Sequence, residues 1–134
     1  MPEAAGKPEA IVAVLRRVGR VLVIKRGPEA SRSGYWAPLS GRIEPGESQR
    51  DAVAREVREE VGLRVRPLAK VWECDTDDGG FLLHWWTAEV EPGDLVLDAG
   101  EVSEARWVTP EEFLGMEPTF AGDRDFFEKV LPLL

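Results

Sequence analysis

Three glutamates near the middle of the chain are the residues best suited to chemistry. Glu56, Glu59 and Glu60 fall in the segment Gln49–Val61, whose residue types favour a helix. At 100° per residue the three carboxylates share one arc of that helix, and Glu56 and Glu60, four residues apart, repel each other. Arg55 relieves part of this repulsion. A divalent cation would offset more of it, and hard carboxylate oxygens favour magnesium or manganese over zinc.

The helix that carries these glutamates has clear ends in the sequence. Ser48 followed by Asp51 is typical of a helix N-cap, and Gly62 suits the left-handed residue that ends a helix. The apolar residues of the helix fall on one face, which we expect to be buried. This apolar face consists of Val53, Ala54, Val57 and Val61.

The rest of the chain alternates between strand and turn patterns. Strand patterns occupy Ile11–Leu15, Arg20–Arg26, Leu63–Asp75, Phe81–Val90 and Arg106–Val108. Turn residues at 77–80 predict a hairpin, and a last helix is expected over Asp123–Leu131. This order of elements predicts an α/β protein with one mixed sheet. We expect residues 1–8 to be a flexible leader and residues 9–134 to form a single domain.

Composition and charge exclude several classes of function. The 134 residues include 17 Lys and Arg against 25 Asp and Glu, which leaves a net charge of −8. This balance argues against a protein that binds duplex nucleic acid, since such a protein needs a basic surface. One cysteine and one histidine are too few for a zinc site built on those residues. No apolar run is long enough for a membrane span or a signal peptide, so we expect a cytoplasmic protein.

The glutamates belong to a longer pattern that runs from Gly41 to Leu63. It reads Gly, five residues, Glu, seven residues, Arg-Glu, an aliphatic residue, one residue, Glu-Glu, one residue, Gly and an aliphatic residue. This pattern resembles the Nudix box, the signature of the Nudix hydrolases, with every specified position filled. Ser40 precedes Gly41 where a second Gly is commoner, but a serine can supply the same backbone carbonyl. The resemblance implies the Nudix fold, an α/β/α sandwich with the box helix packed on a mixed sheet.

The resemblance also implies a reaction. It is the metal-dependent hydrolysis of the pyrophosphate in a nucleoside diphosphate linked to another group, X, with two or more Mg²⁺ or Mn²⁺ ions. The implied metal ligands are Glu56, Glu59, Glu60, Glu47 and the backbone carbonyl of Ser40. Arg55 is implied to orient the carboxylates. Clustered carboxylates with bound cations can neutralise phosphate oxygens and activate water, as this chemistry requires.

The general base and the substrate contacts have several candidates. In the family the base comes from a box glutamate or from a late loop, which here carries Glu101 and Glu104 between residues 98 and 105. The candidate substrate contacts are Arg26, Arg42 and Trp86. Arg26 ends a strand pattern, a position where family members often place a basic residue against phosphate. Trp86 and its neighbour point to opposite faces of a strand, so one of them can stack on a base.

The sequence leaves the group X open, with a nucleoside triphosphate or a nucleotide sugar such as ADP-ribose favoured. Two other functions stay in view: an RNA 5′-end pyrophosphohydrolase, and a non-catalytic regulatory module that binds nucleotides. The complete set of glutamates favours turnover over the regulatory module. Dimers are frequent in the family, and the tryptophan-rich hairpin offers apolar surface for a homodimer.

Overall fold

A computed structural model describes residues 6–134 of the chain. The strands are β1 (Glu9–Arg17), β2 (Arg20–Arg26), β3 (Trp36–Ala37), β4 (Leu39–Arg42), β5 (Val65–Asp75), β6 (Leu82–Val90) and β7 (Val102–Val108). The helices are α1 (Gln49–Val61), α2 (Pro110–Leu114) and α3 (Ala121–Asp125). A π-helical turn, Phe126–Val130, and a 3₁₀ turn, Leu131–Leu133, continue directly from α3.

The strands form one mixed sheet. Its main path runs β3-β2-β1-β6-β5, while β4 pairs with β1 and β7 pairs with β2. Strands β1 and β6 are parallel, with Ile11 opposite His84, and the other pairs are antiparallel. The hairpin of β5 and β6 and the mixed sheet confirm the sequence-based prediction of the fold class.

Strand β1 is buried on both faces, as expected for a strand between two helical layers. Ile11, Ala13 and Leu15 pack in the apolar cluster that contains α1. Val12 and Val14 pack on the opposite face, in the cluster that contains residues of α2 and of the C-terminal helical turns. The sheet therefore lies between α1 and the C-terminal helices, which is the α/β/α sandwich that the sequence predicts.

Helix α1 has the ends that the sequence predicts. The Ser48 hydroxyl accepts a hydrogen bond from the backbone N–H of Asp51 at 3.1 Å. Gly62 ends the helix with a φ of +74°, a conformation that favours glycine. The buried residues of α1 are Ala52, Val53, Val57 and Val61. Ala54, which the sequence places in this apolar face, is only half-buried, and Ala52 takes its place.

Strand β7 is longer than the sequence predicts. The predicted strand covers only Arg106–Val108, but pairing with β2 extends β7 back to Val102. Glu104 therefore lies within a strand, opposite Lys25, rather than on the predicted loop. The loop that remains ends at Glu101, and this shortening separates the two candidate bases.

The two ends of the chain differ in how they compare with the predictions. The last helical segment begins at Ala121, two residues before the predicted start at Asp123. Of the predicted leader, residues 1–5 lie outside the described residues, and residues 6–8 precede β1 without regular structure. None of the helices in the described part of the chain is long and apolar enough to span a membrane.

Candidate active site

A cavity of about 790 Å³ lies beside α1 and β4, and two groups of residues line it. The acidic group consists of Glu56, Glu59, Glu60, Asp98 and Glu101. The second group, which we call the apolar end, has three apolar side chains, Phe81, Leu83 and Phe120. It also includes two acidic residues, Asp77 and Asp123. The charge of Arg26 acts on Glu60 in the first group and on Asp123 in the second. Arg26 therefore lies where a negatively charged ligand that spans both groups would pass.

Glu56 and Glu60 form a partly buried pair of carboxyl groups, each of which affects the protonation of the other. Burial raises the pKa of Glu60 far above its ordinary value, and the charge of Glu56 acts in the same direction. Burial also raises the pKa of Glu56, although a hydrogen bond from Arg55 opposes this effect. Two carboxylates this close cannot both ionise at low cost unless a cation joins them.

The carboxylate of Glu56 lies against the backbone of Gly41. A Cβ atom at position 41 would come within 2.0 Å of the Glu56 side-chain carbon and 2.3 Å of both its oxygens. Gly41 lies in the regular strand β4, opposite Ile11, so it is not needed for a turn. The chain requires glycine at this position because any larger residue would displace the Glu56 carboxylate.

Arg55 binds three of the carboxylates of the box through separate N–H groups. Its Nε and Nη2 donate to the two oxygens of Glu47, at 2.7 and 2.9 Å. Its Nη1 donates to Glu56 at 2.8 Å and to Glu59 at 3.2 Å. The hydrogen bond to Arg55 lowers the pKa of Glu47 and keeps that carboxylate ionised. Glu47 thus contacts Arg55 and does not line the cavity, whereas Glu59 lies at its edge.

The residues present fit a divalent cation held by oxygen ligands. Between residues 6 and 134, no group of three or more His, Cys, Asp or Glu side chains is already arranged to hold a metal ion. However, Glu56 lies against Gly41, its charge acts on Glu60, and both glutamates line the cavity together with Glu59 and Ser40. A cation among them would offset the repulsion between the Glu56 and Glu60 carboxylates. The donor set suits a hard ion such as Mg²⁺ or Mn²⁺.

The two candidate bases have different surroundings. Glu101 lines the cavity, and its charge raises the pKa of Glu60. Its backbone is held by Gly27, whose N–H donates to the Glu101 carbonyl at 2.8 Å. Glu104 does not line the cavity and pairs with Arg106 on β7. The structure therefore brings Glu101, and not Glu104, to the acidic group.

Two of the three predicted substrate contacts line the cavity. Arg26 donates from Nε to the carbonyl of Ser31 at 2.5 Å and from Nη2 to the Ser31 hydroxyl at 3.0 Å. These bonds hold its guanidinium group at the cavity wall. Arg42 also lines the cavity, with its guanidinium carbon 5.4 Å from the centre of the Phe81 ring.

Trp86 is not brought to the cavity. Trp85 and Trp86 face opposite sides of β6, as strand alternation predicts. Trp85 is fully buried and stacks on Phe126 with ring centres 4.3 Å apart. Trp86 packs in the cluster around α1, and its Nε1 donates to the side chain of Gln49 at 2.8 Å. Trp86 therefore supports the box helix and does not offer a stacking surface in the cavity.

Asp123 is a candidate that the sequence analysis missed. It is only 6% exposed, yet it lines the cavity at the apolar end. Burial raises the pKa of Asp123 to about 8, the charge of Asp77 adds to this effect, and Arg26 opposes it. In the sequence it is only an acidic residue near the start of a helix, where such residues are common on the surface. Only the fold, which brings α3 against the turn after β5, distinguishes it.

The mixed sheet between helical layers, with a carboxylate-lined cavity beside the box helix, is the arrangement that the resemblance to the Nudix hydrolases implies. The family model of the NUDIX domain matches residues 6–130, and the chain belongs to this family. It is a Nudix hydrolase, as the sequence predicts.

Individual relatives agree with this assignment. The CTP pyrophosphohydrolase of Escherichia coli K12 is 32% identical over 106 residues, which cover 79% of this chain and 78% of the relative. The NAD-capped RNA hydrolase NudC of Deinococcus radiodurans is 34% identical over 95% of this chain, which spans only 46% of that relative. The crystal structure of the MutT protein from Methanosarcina mazei Go1 has a TM-score of 0.77 and 29% identity, covering 94% of this chain and 95% of that one.

Proposed function

We propose that this Nudix hydrolase cleaves nucleoside triphosphates, with divalent metal, into a nucleoside monophosphate and pyrophosphate. The observation that carries the proposal is the division of the cavity into an acidic group and an apolar end, with Arg26 acting on both. A triphosphate needs cations between it and the carboxylates, and a base needs an apolar surface with a few polar groups. Both requirements are met within one cavity.

Glu56, Glu59 and Glu60 would hold the metal, with the carbonyl of Ser40 beside them. When bound, the metal supplies neutralisation of phosphate charge and a water of lowered pKa. Arg55 holds Glu56 and Glu59 in a fixed orientation toward this point. Glu47 acts through Arg55 and is a positioning residue in this proposal, rather than one of the metal ligands.

Glu101 is the proposed general base. It is the one loop candidate that lines the cavity beside Glu60, so its carboxylate can accept a proton from an attacking water. The contact from Gly27 fixes the backbone of Glu101, and this limits the movement of the carboxylate. Arg26 and Arg42, which both line the cavity, contact the phosphates.

The base of the nucleotide lies at the apolar end, against Asp123. With its pKa raised to about 8, this carboxyl group is protonated at neutral pH and offers one O–H donor and one C=O acceptor. That pair matches the N3 acceptor and the N4 amino donor of cytosine. The relative from Escherichia coli is named for CTP, so CTP is the first substrate to test.

The test is a substrate panel with product identification. Nucleoside triphosphates, ADP-ribose, NADH, a triphosphorylated oligonucleotide and NAD-capped RNA are incubated with Mg²⁺, with Mn²⁺ and with chelator. We expect metal-dependent release of pyrophosphate from a free triphosphate, lost in Glu101→Gln and kept in the matched Glu104→Gln. Turnover of an RNA end alone would favour the RNA-processing alternative. Binding of nucleotide without turnover of any substrate would favour the regulatory module.

A further inference from the structure

Helix α3 begins at the cavity without a cap of its own. Its N-cap residue is Phe120, which has no side-chain hydrogen bond to the first turn of the helix. The first backbone N–H groups of a helix need acceptors from elsewhere, because no residue within the helix can supply them. Here Asp77, 44 residues earlier in the chain than Ala121, supplies them.

The Asp77 carboxylate contacts α3 with both of its oxygens. One oxygen accepts from the backbone N–H of Ala121 at 2.8 Å, and the other accepts from Gly122 at 3.0 Å. Gly122 lies next to the turn, since a Cβ there would be 3.5 Å from the same Asp77 oxygen and 3.9 Å from the sulfur of Cys74, both ordinary contact distances. Phe126 and Phe127 anchor the segment after α3 in the apolar core, while Asp77 holds the first turn of α3 against the hairpin.

The turn that carries Asp77 is itself well fixed. The backbone N–H of Thr76 donates to the carbonyl of Phe81 at 2.9 Å, and Gly79 donates to the carbonyl of Thr76 at 2.8 Å. Asp78 accepts from the Thr76 hydroxyl and from the N–H of Gly80, both at 2.8 Å. Asp77 thus projects from a closed turn, and its two bonds transmit the position of the hairpin to α3.

Two residues of the apolar end depend on this contact. Asp77 binds the N–H groups of two consecutive residues, and Phe120 directly precedes this pair while Asp123 directly follows it. Both Phe120 and Asp123 line the cavity. The opposite wall of the same end is Phe81 and Leu83, at the start of β6. Asp77 therefore ties the wall that carries Phe120 and Asp123 to the turn that leads into the wall with Phe81 and Leu83.

We infer that Asp77 is a positioning residue for base selectivity, which acts through α3 by holding Asp123 and Phe120 against the hairpin. This inference rests on the proposed function, since it takes the apolar end as the site of the base. Asp77 would thus affect the choice of base through its bonds to the backbone amides of Ala121 and Gly122. The negative charge of Asp77 also raises the pKa of Asp123, so one side chain supports both the place and the protonated state of that carboxyl group.

The kinetic test compares Asp77→Asn with Asp125→Asn. Asparagine keeps one acceptor oxygen and loses the second acceptor and the charge. Asp125 is on the same helix, and among residues 6–134 its carboxylate pairs only with Lys129, at 3.4 Å, so its variant is the matched control. For Asp77→Asn we expect KM for the preferred triphosphate to rise about tenfold, kcat to stay within twofold, and the ratio of kcat/KM between bases to fall about tenfold. For Asp125→Asn we expect none of these changes.

A purely structural role would give a different pattern. A variant that only lost stability would lower kcat through its folded fraction and leave the ratio between bases unchanged. That pattern, or an unchanged KM and ratio, would overturn the inference while the proposed function stands. A wild-type protein that hydrolyses no nucleotide would overturn both.

A measurement on the wild-type protein does not depend on the folding of a variant. By NMR, the amides of Ala121 and Gly122 should be protected from hydrogen exchange and should shift when the product CMP is added. The amide of Lys129, at the far end of the C-terminal helical segment, should not shift. Rapid exchange of the first two amides, or CMP binding that leaves them unmoved, would contradict the role of Asp77.

Discussion

Arg55 and Glu47 form a two-point ion pair, in which Nε and Nη2 of the guanidinium lie 2.7 and 2.9 Å from the two carboxylate oxygens. Parallel bonds of this kind fix the plane of the guanidinium group. The remaining Nη1 is thereby aimed at Glu56 and Glu59. The orientation of two carboxylates that line the cavity thus depends on an arginine that contacts no substrate in the proposed reaction.

Arg55→Lys tests this arrangement, because lysine keeps the charge but has one nitrogen in place of three. We expect kcat/KM to fall tenfold or more and the free energy of unfolding to fall by about 1–3 kcal/mol, since partly buried carboxylates lose their donors. Arg58→Lys, on the exposed side of the same helix, should leave both within error. Steady-state kinetics and urea unfolding measure the two effects, and equal behaviour of the two variants would contradict the role of Arg55.

Gly41→Ala tests the space that the Glu56 carboxylate occupies. The added methyl group would lie 2.0 Å from the Glu56 side-chain carbon, so that carboxylate must move. We expect turnover to fall at least tenfold, with a loss of stability of about 1–3 kcal/mol from the forced shift. Gly93→Ala is the control, because its methyl group would meet only Leu63 at 3.9 Å. Retained turnover in Gly41→Ala would show that Glu56 is not needed in its present position.

Glu101→Gln and Glu104→Gln should differ strongly. Removal of a general base lowers rates by about 10²–10⁴-fold, and only Glu101 lies in the cavity. We expect kcat to fall about 100-fold or more in Glu101→Gln and less than twofold in Glu104→Gln. Mild and equal effects would move the base to the box helix, and a large effect of Glu104→Gln alone would overturn the assignment.

Asp123 should make stability depend on pH. Its pKa is raised to about 8 in the folded protein, while in the unfolded chain it titrates near its ordinary value of 3.8. Between these values the folded state binds one more proton, so the contribution of Asp123 to stability is complete below about pH 4 and is lost as pH rises toward 8.

Asp123→Asn removes this titration and keeps a neutral side chain of the same size. The free energy of unfolding of the variant, relative to that of the wild type, should therefore rise between pH 5 and pH 8. We expect a rise of at least about 1.4 kcal/mol, the free energy that corresponds to one pKa unit. Urea unfolding at the two pH values measures the difference. A difference that does not change with pH would mean that Asp123 is ionised throughout.

The parts of the site that depend on neighbouring residues could be predicted from the sequence. The cap at Ser48, the left-handed Gly62 and the placement of Glu56 and Glu60 on one arc all follow from spacing within one helix. The parts that depend on distant segments could not. Asp123 has no local pattern, and the turn pattern that includes Asp77 does not predict its contact with α3. Both become part of the cavity only because α3 packs against a turn more than forty residues away in sequence.

The positions of Trp86 and Glu104 differ from what the sequence favours for the same physical reason. Alternation along β6 indicates that Trp85 and Trp86 face opposite sides, but it does not say which side holds the cavity. Likewise, the turn residues before β7 indicate a loop, but the length of β7 is decided by its pairing with β2, which moves Glu104 into the strand. In both cases the local sequence pattern is compatible with more than one position, and the packing of distant segments determines the position that is observed.

The carboxylates of α1 that line the cavity are the proposed ligands of the metal that the reaction uses. The most direct measurement is Mn²⁺ binding, followed by the electron paramagnetic resonance signal of the free ion, in wild type, Glu60→Gln and Glu104→Gln. We predict that Glu60→Gln weakens Mn²⁺ binding at least tenfold and that Glu104→Gln binds as wild type does. Equal affinity in all three proteins would place the metal elsewhere and contradict the account.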